Sequence, residues 1–304
     1  MLLVSQLSKE LKETPRVGVA LGGGSARGYA HIGALSVLER HGFAPSVIAG
    51  TSFGAVIGAL YALGQTPQQM KKVAEDTRRR DVIPYITDFG LHKAALFSGD
   101  KLESYFETML GGRSFSVLKR ELVVVATDVD TGERVLLRDG SLAKALRASA
   151  SMPGVFAPVE IAGRRLIDGG LGSPIPLDTL ATLGVDLAIG IGAGTTSDES
   201  SAIQTVQSIL KTAWGKKLHQ RLQYPGKKHA LSRLGRGLAY TANTYLIKPD
   251  DTSLQVHTNP PISWLHFHRA AHAITAGEKA LESFMPKIRL AWQGLQPSLA
   301  IAGD

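Results

Sequence analysis

The chain has 304 residues, 44% hydrophobic and 20% charged, a balance that supports a globular protein with ample core. It contains no cysteine, which excludes disulfides, thiolate catalysis and cysteine-based metal sites. Its formal net charge of +8 (34 basic residues against 26 acidic) is concentrated between residues 200 and 249, where nine cations occur without one carboxylate.

Residues 1–14 read as a polar extension ended by Pro15; its apolar stretch is too short for a secretory signal, and its positive charges follow that stretch. Arg16 to Leu21 predicts a buried strand, Gly22-Gly23-Gly24 a tight loop, and Ser25 to His41 a helix with Ile32, Leu35, Val37 and Leu38 inward. Pro45 to Gly50 predicts a second strand, and Ser52 to Leu63 its helix, closed by Gly64. Strand–helix–strand–helix at this spacing implies a parallel sheet with right-handed crossovers. Thr66 to Arg80 predicts a polar helix, and Asp81 to Ser98 an irregular loop carrying exposed apolar groups. Leu122 to Ala126 and Arg134 to Leu137 predict strands, and Ser141 caps a short helix ending at Ser149. A hairpin over Val159 to Ile167 turns at Ala162-Gly163 and delivers Asp168-Gly169-Gly170. Leu177 to Leu183 predicts a helix, and Asp186 to Ile191 a further core strand.

The basic stretch 200–249 reads as helical segments with one strand at Tyr245 to Ile247. It forms either a solvated face or a surface for anionic lipid headgroups, at about 1 kcal/mol per cation close to such a membrane. No nucleic-acid-binding motif accompanies it, so nucleic acid is not an expected partner. A last helix runs from Ile262 to Leu295, punctuated by Pro286. The expected fold is one α/β domain over 15–290 with a parallel-rich central sheet flanked by helices. Its core lies at 16–210, the basic stretch is an embellishment, and 291–304 is a tail. No apolar run approaches the roughly 20 residues that a bilayer span needs, so a cytoplasmic protein able to visit a membrane surface is expected. Oligomeric state is not legible.

Gly50-Thr51-Ser52-Phe53-Gly54 lies between a strand and a helix, the setting in which Gly-x-Ser-x-Gly makes a nucleophile elbow. The competing reading is a glycine-lined turn whose serine caps the helix. Gly22, Gly23 and Gly24 precede another helix, where free amides and the helix dipole stabilise an anion. A dinucleotide is excluded because position 27 is Arg27, and a nucleoside triphosphate because Gly28 is followed by Tyr29-Ala30. A transient oxyanion remains, since loops after neighbouring parallel strands converge at one sheet edge. Arg27 serves such a loop best by holding it in place. None of the nine histidines is singled out: His31, on a helix near the glycine loop, suits packing as readily as catalysis, and His268 with His272 share a face but have no flanking carboxylate. Asp168, ending a strand before Gly169-Gly170, is a turn residue or a proton acceptor.

Taken together, Gly22-Gly23-Gly24-Ser25-Ala26-Arg27-Gly28, Gly50-Thr51-Ser52-Phe53-Gly54 and Asp168-Gly169-Gly170 resemble the patatin-like phospholipase family, particularly its stand-alone bacterial members. Arg147-Ala148-Ser149-Ala150-Ser151-Met152-Pro153 belongs to the same likeness, which spans about 16–210; Gly172-Ser173-Pro174 departs from it, since Asn often precedes that Pro in the family. The resemblance implies a three-layer α/β/α fold and a serine acyl hydrolase with a Ser52–Asp168 dyad. Ser52 is then the nucleophile and Asp168 its proton acceptor, with the Gly22, Gly23 and Gly24 amides as oxyanion hole. Arg27, Gly28, Gly50, Gly54, Gly169 and Gly170 support the motifs. The implied partner is a lipid or acyl-ester substrate; no cofactor or metal is expected. Two alternatives stand: a conventional Ser-Asp-His hydrolase recruiting His257 or His266, and a regulatory or scaffold protein that keeps the motifs.

Overall fold

Alternation along three strands builds two cores at once. In β1 (Val17–Leu21), β2 (Val47–Thr51) and β3 (Glu121–Asp128), the residues Val19, Leu21, Ile48, Leu122 and Val124 enter one apolar cluster. Their neighbours Ala20, Val47, Ala49, Val123 and Val125 enter another on the opposite face, as a period of two requires. A sheet buried on both faces needs a layer of structure on each. The structure, a computed structural model, describes residues 15–86, 95, 97–153, 155–193, 254–260, 262 and 266–295.

The remaining strands are β4 (Arg134–Leu137), β5 (Val159–Ile161), β6 (Arg164–Asp168), β7 (Leu187–Gly192) and β8 (Leu254–His257). Hydrogen-bonded neighbours run β5-β6-β3-β2-β1-β7-β8, with β4 also paired to β3. The pairs among β3, β2, β1, β7 and β8 are parallel, and β4, β5 and β6 are antiparallel additions. This is the mostly parallel, helix-flanked sheet that the spacing predicts.

Helices α1 (Ala30–Arg40) and α2 (Phe53–Ala62) cover the first face. They are followed by α3 (Pro67–Asp76), α4 (Arg79–Ile86), α5 (Asp100–Leu110), α6 (Leu142–Ser149), α7 (Leu177–Ala181) and α8 (Ala270–Leu295). Leu180 of α7 and Leu183 beyond it pack on the second face. Local signals place several boundaries. Thr66 and Gln69 form a reciprocal capping box ahead of Pro67, and the Ser141 side chain accepts from the Lys144 amide.

Five segments differ from the sequence reading. The helix expected from Ser25 begins with a tight 3-10 turn over Ser25–Tyr29, closed by the Arg27 amide bonding to the Gly24 carbonyl at 3.1 Å. Part of the loop expected from Asp81 is helical, because α4 continues to Ile86 with Pro84 inside it, and Tyr85 meets Tyr105 at 4.7 Å. Helix α5 has a legible stripe, Leu102, Phe106 and Leu110, bounded by Gly99 and Gly111 at φ 83° and 64°. The last helix starts at Ala270 and runs through Pro286 to Leu295. Strand β8 extends the parallel sheet beyond β7. The basic stretch 200–249, with its expected strand, lies outside the described residues.

Helix α8 crosses α1 with backbone against backbone. A Cβ on Gly277 would lie 1.9 Å from the Ala30 carbonyl oxygen, and one on Gly33 would lie 2.0 Å from that of Ile274. Arg40 and His41 close the far end of the crossing on Glu282, at 2.7 and 3.0 Å. Gly277→Ala is therefore expected to destabilise by about 1–3 kcal/mol despite alanine's helix preference. Gly294→Ala, in the same helix with open space around it, should stabilise by up to about 1 kcal/mol. Thermal melts of the two variants should move in opposite directions; a matched rise would contradict the close crossing.

Candidate active site

The register of one strand brings the two main residues together. Strand β4 occupies one edge of β3 along Val124 to Thr127, so β2 and β6 share the other edge. β2 ends with Thr51 opposite Val125; β6 arrives from the opposite direction with Asp168 opposite Ala126. Two chains meeting on consecutive rungs place residues 52 and 168 face to face. The Ser52 side chain lies close enough to the Asp168 carboxylate to favour its charged form slightly.

Ser52 caps α2 with φ 53° and ψ −126°, a strained conformation for a residue with a side chain. Its neighbours make room for that turn. A Cβ on Gly54 would fall 2.3 Å from the Leu21 carbonyl oxygen, and one on Gly50 would fall 2.5 Å from Ala55 Cα. Only glycine lets the elbow lie this close to β1. The Ser52 amide donates to Ser149 Oγ at 2.8 Å, and that hydroxyl donates to the Val125 carbonyl at 2.6 Å.

Asp168 accepts the Gly170 amide at 2.8 Å. Burial pushes its carboxyl up to about 6, against smaller opposing effects of the Gly170 amide and the nearby Ser52 hydroxyl. The adjoining Gly169 passes over β3 so closely that a Cβ there would sit 2.2 Å from the Val125 carbonyl oxygen. In the departing segment Gly172-Ser173-Pro174, the Ser173 carbonyl accepts the Thr51 hydroxyl at 2.9 Å, so this loop too is tied to the elbow.

The glycine loop lies alongside: a Cβ on Gly23 would be 3.4 Å from Ser52 Cβ. The expectation of three amide donors is narrowed, however. Gly22 donates to Ile191 at 2.9 Å and Gly23 to Pro174 at 3.1 Å, so both amides are committed to holding the loop. The Gly24 amide has no acceptor among the described residues. Arg27 Nε donates to the Ile262 carbonyl at 3.0 Å, a bracing role. Gly28 accommodates the Phe53 ring, which meets Tyr29 and Phe267 at 5.0 and 5.8 Å.

Histidine is not part of this pair. His31 is fully buried, and burial pushes it down to about 4, so its neutral ring donates through Nε2 to the Gly22 carbonyl at 2.8 Å. His257 stands on β8, three strands from β2 and thus about 14 Å across the sheet. That distance argues against His257 as a triad base. Among the described residues no group of three metal-ligating side chains occurs. No helix among them is long and apolar enough to cross a membrane.

The fold and the paired side chains define an α/β protein with a serine on an elbow facing a partly buried carboxylate. A family model described as patatin-like phospholipase matches residues 19–181, just over half the chain, and the chain belongs to that family. An uncharacterized NTE family protein of Mycobacterium tuberculosis is 36% identical over 178 residues, 59% of this chain and 49% of its own length. Patatin-like phospholipase domain-containing protein 6 of Homo sapiens is 29% identical over 202 residues, covering 65% of this chain and 14% of that protein. The chain thus spans about half the length of the mycobacterial relative or less of the human one. VipD from Legionella pneumophila shares the fold, with a TM-score of 0.54 at 14% identity over 90% of this chain and 67% of its own.

Proposed function

We propose that the chain is a serine acyl hydrolase acting on carboxyl esters of fatty acids. The observation that carries this reading is the Ser52 hydroxyl, presented on a strained elbow beside a carboxylate whose affinity for protons is raised. Ser52 Oγ attacks the ester carbonyl while Asp168 takes its proton, so a tetrahedral oxyanion forms. The Gly24 amide, which follows Gly23 in the loop against Ser52 and has no acceptor among the described residues, is the candidate donor to hold it, and one such donor contributes about 3–4 kcal/mol. Asp168 then protonates the departing alcohol, leaving Ser52 acylated. Water, deprotonated by Asp168, attacks the acyl group, and proton return restores the serine.

A fluorophosphonate probe followed by peptide mapping tests this directly. Label on Ser52, with hydrolysis of lipid esters in a parallel panel, is the expected outcome. Label elsewhere, or an inert protein, would favour the regulatory or scaffold reading. The uneven charge of 200–249 supports a peripheral encounter with anionic membranes. Binding to vesicles should rise with anionic lipid and weaken between low and physiological salt; indifference to both would remove the electrostatic part.

A further inference from the structure

We propose that Ser149 is a positioning residue for this site, holding the backbone of Ser52 at a fixed distance from Asp168. The inference rests on the hydrolase reading above and extends it to a side chain that touches neither substrate nor reacting atoms. Ser149 ends α6 with no solvent exposure. Its single hydroxyl proton goes to the Val125 carbonyl, so a lone pair is left to receive the Ser52 amide, and the direction of the relay is set. Val125 is the residue opposite Thr51, the last of β2. The relay therefore clamps the elbow to the strand edge where both reactive side chains meet.

Two residues further on, the Ser151 carbonyl accepts the Asp168 amide at 3.0 Å. One short segment thus grips the nucleophile's backbone at one end and the acceptor's at the other. Arg147 immobilises it from behind. The buried guanidinium bonds to the carbonyls of Gly99 at 2.8 Å and Ala157 at 3.0 Å, and also to the Ser151 hydroxyl. A residue held at positive φ relaxes if its amide loses that tether, and a shift of a fraction of an ångström at a nucleophile is felt in turnover.

The test compares Ser149→Ala, which removes both bonds without adding volume, with Ser149→Thr, which keeps the hydroxyl. Rates are measured on a soluble p-nitrophenyl ester and divided by the sites that a fluorophosphonate titrates, so unfolded molecules are not counted. Ser149→Ala should lose roughly 10- to 100-fold in kcat per titrated site with KM within about threefold, and Ser149→Thr should recover most of the loss. Four outcomes would overturn the proposal. They are kcat per site within twofold of wild type, equal losses in both variants, a loss confined to KM, or an unfolded Ser149→Ala beside a fully active Ser149→Thr. A wild-type protein that neither hydrolyses the ester nor takes label at Ser52 defeats the hydrolase reading itself, and does so without any variant.

Discussion

Ser52→Ala is expected to lower kcat/KM on fatty-acyl esters by roughly ten-thousand-fold or more while the protein remains folded. Removing the nucleophile of a catalytic unit leaves only what binding and the amide donor supply, so losses of this size are usual. The side chain is partly exposed and its removal opens no large cavity, so melting should change little. The strain at φ 53° belongs to any residue with a Cβ, and alanine retains it. Glycine would not. Ser52→Gly should be equally inactive yet more stable than Ser52→Ala by about 1 kcal/mol, read from paired denaturation curves. A Ser52→Ala enzyme within tenfold of wild type would remove Ser52 from the chemistry.

Asp168→Asn is expected to lose comparable activity and to gain stability at neutral pH. The carboxyl titrates near 6 in the folded chain against an ordinary value of 3.8. A raised acid pKa means that the folded state binds the proton more tightly than the unfolded state. Folding is therefore favoured below the ordinary value, loses ground as pH climbs from about 4 to about 6, and carries a constant penalty above that. The shift corresponds to roughly 2–3 kcal/mol, taking the lower end because solvent reaches part of the residue. Asparagine can still accept the Gly170 amide but has nothing to ionise. The variant should match wild type at pH 4 and melt higher at pH 8. In wild type, the same ionisation places the acid limb of kcat/KM near pH 6, with activity lost as pH falls through it. A pH-independent difference in melting, or an acid limb near 4, would contradict a partly buried, proton-accepting Asp168.

Legibility varied with how local the determining forces are. β1, the glycine loop, β2 and its helix could be read from consecutive residues, because apolar alternation and glycine punctuation act within a few positions. Ser52 and Asp168 could be nominated from motifs, but their meeting depends on β2 and β6 sharing an edge of β3, which no local pattern states. Gly22 and Gly23 show the limit of composition: glycines signal room for an anion, yet their amides are spent on Ile191 and Pro174, residues distant in sequence. Ser149 was visible only as the end of a capped helix and as part of a familiar stretch; its bond to the Ser52 amide spans 97 positions. Helix α5 is announced locally by the four-residue period of Leu102, Phe106 and Leu110. Pro286 lies inside the last helix as the sequence reading expects, since proline removes one helical hydrogen bond without ending a helix that is packed along its length.

The crossing of α8 over α1, together with the Arg27 bond to Ile262, has a consequence for how the chain matures. The helix that launches from the glycine loop has its brace encoded some 240 positions later, at Ile262 and Gly277. A polypeptide still emerging from the ribosome holds both motif halves long before that brace exists. Closure over so long a separation comes late in assembly. A nascent chain is therefore expected to complete the packing around the glycine loop only after Ile262 and Gly277 have emerged.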